Sequence, residues 1–186
     1  MNELIKKTAE QAVEALKTKQ VKPEELINAA IDRIRETDSS INALPTLAEE
    51  RARQHAAILE RTSSNNSKRG YLHGLPIAVK DLKDVSGVRT TKGSRAFENN
   101  IPKRSDFMVE NLEDKGAIVL AKSNTPEFGA GATTFNDVFG RTHNPWNIAM
   151  TWGGSSVVTA AALAAGQIWL CTGSDLGGSL RIPASF

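Results

Sequence analysis

The stretch SDFMVENLEDKGAIVLAK, residues 105–122, carries two signals back to back. Ser105 is a helix-capping residue type, Phe107, Met108 and Leu112 fall at helical spacing, and Gly116 closes the pattern, so 105–116 reads as a helix. AIVLAK, 117–122, is short and apolar and reads as a buried strand. Working outward, LPIAVK (75–80) and QIWLCTG (167–173) are further buried-strand candidates. VVTAAALAAG (157–166) is small and apolar throughout, as a closely packed helix requires. Strands that alternate with helices predict an α/β fold, layered around a largely parallel sheet.

The first third of the chain reads differently. In NELIKKTAEQAVEALKTK, residues 2–19, Leu4, Ile5, Ala9, Ala12, Val13 and Leu16 follow one helix face. A second helix starts at Pro23, with Glu24 and Glu25 favouring its positive end, and stops at Asp38-Ser39-Ser40. A third, 47–61, follows Pro45, and TSSNNSKRG, 62–70, reads as an exposed loop. The expected organisation is a helical region, 1–70, followed by an α/β core, 71–186.

Composition bounds the function. The 186 residues are 40% hydrophobic and 24% charged, an ordinary globular balance, and the net charge of +2 leaves no nucleic-acid footprint. The one cysteine, Cys171, rules out an internal disulfide and reads as a small buried hydrophobe. The start lacks an apolar signal segment, and no run approaches the roughly 20 apolar residues of a membrane helix. A soluble, cytoplasmic protein is the expectation.

Three features could carry chemistry. Lys80 ends an apolar strand: either the strand has reached the surface, or a lysine sits in a dry pocket where burial makes it a base. WGGSS, 152–156, precedes the small-residue helix: Ser155 or Ser156 caps it, or the helix end binds an anion, although no phosphate-loop motif is present. GSDLGGSLR, 173–181, frames Ser179 with glycines: a tight turn, or a nucleophile beside backbone N–H donors that form an oxyanion hole. His55, His73 and His143 have no distinctive setting, and the G-x-S-x-G and S-x-x-K motifs are absent.

GLPIAVKD, then GGSS before a small-residue helix, then GSDLGGSLRIPAS resemble, in order and separation, the motifs of the amidase signature family. KSNTPEFG, FGRTHNPWN and the N-terminal helices resemble it too, so the likeness covers nearly the whole chain. It implies an α/β/α sandwich around a mixed, largely parallel sheet, here an incomplete N-terminal portion preceded by helices. It implies an amide hydrolase that yields a carboxylic acid and an amine or ammonia, on a small-molecule amide, with no metal or organic cofactor. By the resemblance Ser179 is the nucleophile, Lys80 the base and Ser155, after a cis peptide bond, the proton bridge. Leu176, Gly177, Gly178 and Ser179 supply oxyanion-hole N–H groups, and Ser156, Asp175 and Arg181 support the site.

The resemblance leaves two departures. Val157 and Val158 stand where the family has small residues, and would crowd the serine loop. Family members are well over twice this length, so the open sheet edge is expected to need the missing C-terminal half or a second copy. Two alternatives follow: a glutamine-hydrolysing subunit of a tRNA-dependent amidotransferase, and an inactive fragment. His73, Phe128 and Trp152 could line a pocket but suit packing better.

Overall fold

The computed structural model describes residues 2–62, 69–150 and 153–185. Most of the loop expected at 62–70 and the side chain of Trp152 lie outside the described residues. Helix α1 (Ala9–Lys17) begins later than its apolar period suggests, because Thr8 and Gln11 form a reciprocal capping box that fixes the start. Helix α2 (Pro23–Ile41) runs through the expected stop at Asp38-Ser39-Ser40. The Asp38 carboxylate accepts from the N–H groups of Ala43 and Leu44, so it secures the helix exit instead of breaking the helix. Asn42, at φ +55°, closes α2 in the left-handed conformation that asparagine tolerates.

Strand β1 (Thr46–Leu47) takes Leu47 out of the predicted third helix, which runs as α3 (Glu49–Thr62). Strand β2 (Pro76–Lys80) and β3 (Ile118–Ser123) are where the apolar runs put them. Between them lies α4 (Phe107–Asp114), with Asp106 and not Ser105 at its N-cap position; the Asp106 carboxylate accepts from Asp84 N–H and the Ser105 hydroxyl from Ser86 N–H, so neither side chain caps the helix. Val109 is the buried residue of α4, whereas Phe107 points out at 81% exposure. A hairpin, β4 (Phe135–Asn136) and β5 (Gly140–Arg141), precedes α5 (Val157–Ala164), β6 (Leu170–Cys171) and the short α6 (Arg181–Ala184).

The main sheet has the order β1-β3-β2-β6. β2 pairs parallel with β3 and β6, and β1 joins β3 antiparallel, which gives the mixed, mostly parallel sheet. Every residue of β2 and β3 is buried, so both faces of these strands are covered, as expected for continuous apolar strands. One hydrophobic cluster runs from Ile5 in the N-terminal helices through β2 and β3 to Trp169. Val157 and Val158 belong to that cluster, at 2% and 1% exposure, so both side chains pack into the core.

Candidate active site

The C-terminal ends of the parallel strands converge. β2 ends at Lys80, β3 at Ser123 and β6 just before Thr172, and Lys80 and Ser123 are register partners. Open α/β sheets bind ligands at this end of their strands. Lys80 N–H donates to Thr172 Oγ1 at 3.0 Å, which stitches the end of β2 to the segment that leads to the Ser179 loop.

The side chain of Lys80 is 2% exposed. Its Nζ lies 2.7 Å from Ser155 Oγ, 2.9 Å from Ser156 Oγ and 3.0 Å from Ser174 Oγ. Burial pushes its pKa down from 10.5 to about 8, with Cys171 opposing the shift weakly. No carboxylate is hydrogen-bonded to this amine among the described residues, so the neutral form is within reach near neutral pH. Ser155 Oγ in turn lies 3.1 Å from Ser179 Oγ. Lys80, Ser155 and Ser179 therefore form a continuous chain of hydrogen-bonding atoms.

Glycine makes the serine turn possible. The Gly154–Ser155 peptide is cis. A Cβ on Gly154 would meet Thr133 N at 2.8 Å and Ala132 C at 2.9 Å, both backbone atoms with no room to yield. The segment 132–134 is thus pressed against the turn, and Thr134 Oγ1 donates to the Ser155 carbonyl at 3.3 Å. Ser156 is the residue before α5, yet its hydroxyl makes no capping bond. It is engaged by Lys80, by Ser174 N–H at 3.1 Å and by the Ser174 carbonyl at 2.9 Å.

The loop that carries Ser179 is organised by Asp175. Its carboxylate accepts from the N–H groups of Gly178 (2.7 Å), Leu180 and Arg181 (both 3.1 Å) and from the Arg181 guanidinium (2.8 and 3.0 Å). The Arg181 guanidinium holds this carboxyl well below the usual carboxylate range, helped by the backbone donors. Among the expected oxyanion donors the structure therefore separates Gly178, whose N–H is spent on Asp175, from Leu176, Gly177 and Ser179, whose N–H groups make no hydrogen bond within the described residues.

Other residues fall elsewhere. His73 packs edge-on against Tyr71, His55 lies 3.6 Å from Glu113, and His143 meets the Ile148 carbonyl. Among the described residues no histidine touches the serine cluster. Phe128 is 55% exposed and edge-on to Phe97. A cavity of about 460 Å³ lined by Val13, Tyr71, Leu75 and Leu170 sits at the opposite end of β2 from Lys80. The Cys171 thiol is pushed up to about 11 by burial, which makes it a packing group.

The sequence reading missed Ser174, Thr172 and Thr134. It also missed a second buried lysine, Lys122, whose Nζ lies 3.0 Å from Asp81 Oδ1, 2.7 Å from the Lys83 carbonyl and 2.8 Å from Thr90 Oγ1. Asp81 follows Lys80 directly, and its other oxygen accepts from Thr91 N–H and Oγ1. Only the register of β2 against β3 brings this pair together.

Comparison with known proteins gives a consistent picture. A model of the Amidase family matches residues 25–186. The chain is 42% identical over 168 residues to the A subunit of the Glutamyl-tRNA(Gln) amidotransferase from Alkaliphilus metalliredigens, covering 90% of this chain and 34% of that protein. It is 40% identical over 189 residues to its counterpart from Dehalococcoides mccartyi, covering 100% of this chain and 38% of that protein. Among solved structures, a bacterial aryl acylamidase of the amidase signature enzymes superposes with a TM-score of 0.87 at 36% identity, covering 96% of this chain and 37% of that one. The 6-aminohexanoate cyclic dimer hydrolase complexed with substrate gives 0.86 at 29% identity, covering 99% and 37%. The chain thus spans a little over a third of the length of the curated relatives it matches.

Proposed function

The chain belongs to the Amidase family, and on that premise we propose that it carries the reacting groups of an amide hydrolase. The observation that carries the reading is the chain Lys80 Nζ–Ser155 Oγ–Ser179 Oγ, with links of 2.7 and 3.1 Å and a buried amine at its end. Ser179 Oγ attacks the amide carbonyl carbon. Its proton moves to Ser155 Oγ while Ser155 passes its own proton to Lys80 Nζ. The tetrahedral oxyanion is received by the N–H groups of Leu176, Gly177 and Ser179, each such donor worth about 3 kcal/mol in related chemistry. The same relay, run backwards, protonates the leaving nitrogen as the C–N bond breaks, and water then hydrolyses the acyl-enzyme.

The reading includes a small-molecule amide as substrate, no direct contact with nucleic acid, and a cytoplasmic location; no described helix is long and apolar enough to cross a membrane. Leu176 is fully exposed, and Leu180 and Ile182 are partly so, on the nucleophile loop, a surface suited to the C-terminal half or to a second copy. The test is hydrolysis of a panel of aliphatic and aryl amides, with fluorophosphonate labelling of Ser179 beside it. Labelling and turnover that vanish together in Ser179→Ala support the reading; a Ser179→Ala protein as reactive as its parent overturns it.

A second reading is favoured by the 38–42% identity to amidotransferase A subunits: release of ammonia from glutamine within a larger complex. Ammonia release that appears only when partner subunits are added would select it.

A further inference from the structure

Each of the three groups bonded to Lys80 Nζ is a hydroxyl, and their proton inventory is uneven. An amine about to take a proton has two N–H bonds and one lone pair, so two neighbours must accept and one must donate. Ser156 cannot be the donor. Its proton goes to the Ser174 carbonyl at 2.9 Å, and its oxygen already accepts from Ser174 N–H at 3.1 Å. Of the remaining two, Ser155 is the one bonded to Ser179; its hydroxyl donates to Ser179 Oγ at 3.1 Å, and for the proposed relay it turns to the amine, so that the proton that matters comes from Ser155. That leaves Ser174 as the second acceptor.

We propose that Ser174 is a positioning residue: together with Ser156 it holds the two N–H bonds of neutral Lys80, so that the lone pair faces the Ser155 hydroxyl. This rests on the reading of Lys80 as the base. The fold supports the placement. Ser174 is tied to Ser156 through its own N–H and carbonyl, and so shares a frame with the amine it orients. A Cβ on Gly173, just before it, would press on the Leu180 side chain and lie 3.2 Å from Ser156 Cβ, so this segment packs closely against the turn that carries Ser156. Without Ser174 one N–H bond loses its acceptor, and the amine can turn its lone pair away from Ser155. The titratable neighbour of Lys80 on β6 is Cys171, which stays a thiol well above neutral pH.

The experiment measures the rate of Ser179 labelling by a fluorophosphonate in the 186-residue chain, at about pH 9.5, where a lysine lowered this far is neutral. Ser174→Ala is expected to slow labelling about tenfold, and Ser174→Thr to restore it within about twofold. Nitrogen NMR of the lysine amines supplies a second readout. The Lys80 titration should move to lower pH in Ser174→Ala, because the ammonium loses one of its three acceptors. An alanine variant that labels and titrates like its parent overturns the proposal, as does a folded threonine variant that fails to restore the rate. Lys80→Ala and Ser179→Ala separate the two levels: if either labels like the parent, or the parent does not label, the underlying reading fails. The Lys80 titration then still decides whether Ser174 touches the amine.

Discussion

Lys80 and Lys122 are both nearly fully buried, at 2% and 1% exposure, on neighbouring parallel strands. Their surroundings differ in one respect. Lys122 faces a carboxylate, a carbonyl and the Thr90 hydroxyl, whose own proton goes to the Val88 carbonyl. All three can only accept, which is the environment of an ammonium. Lys80 faces three hydroxyls and, among the described residues, no carboxylate: Ser156 only accepts, whereas Ser155 and Ser174 can give a proton as well as take one. Burial pushes both lysines down, but at Lys122 the Asp81 carboxylate pushes back. On the proposed reading, partner chemistry, more than burial, distinguishes a structural cation from a reactive amine.

That contrast can be broken most sharply by exchanging losses. Lys80→Ala should reduce amide turnover by about 10⁴-fold or more while leaving a cooperative urea transition, since it removes a base and no counter-charge. Lys122→Ala should do the reverse, costing about 3–5 kcal/mol of stability because Asp81 is left charged and unpaired in the core. A Lys122→Ala protein as stable as its parent would show that the pair is not the structural cation described above.

A graft sharpens the same point. Ser174→Asp places a carboxylate beside Lys80 and should raise the pH at which activity appears by about one to three units, as an opposite charge holds the proton on the amine. An unmoved pH profile would mean the new carboxylate does not reach Nζ.

In the parent, activity should rise as pH passes through about 8 and level off above it. Stability follows the same sign. The folded pKa lies below the unfolded value of 10.5, so the unfolded chain binds more protons between the two, and stability rises with pH across that window. The contribution is fully present above 10.5 and is lost as pH falls through about 8; a thermal-melt series from pH 7 to about pH 11 checks it. The smallest effect is at Cys171. Its raised pKa predicts that iodoacetamide at pH 8 leaves Ser179 labelling unchanged.

Much of this was legible in the sequence, for local reasons. Apolar runs bounded by glycine identified β2 and β3, and glycine-framed serines marked the turns that bring Ser155 and Ser179 together. What was not legible depended on distance. Asp81 reads as a polar residue after a strand until β2 and β3 are aligned, and Ser174 reaches Lys80 across 94 residues. Periodicity also misplaced the start of α1, since Leu4 and Ile5 fit a helix that the Thr8 capping box begins later. Nor do glycine positions reveal that Asp175 occupies the Gly178 N–H.

Lys80 comes from β2, and the hydroxyl cage around it from the turn before α5 and the loop after β6. In an unfolded chain those segments part, Lys80 returns to an ordinary solvated ammonium, and Ser179 is an ordinary alcohol. Reactivity is then a property of the tertiary structure and not of any segment of the chain. On the proposed reading a newly made or heat-unfolded molecule is chemically silent, and covalent capture of Ser179 would count native molecules one by one.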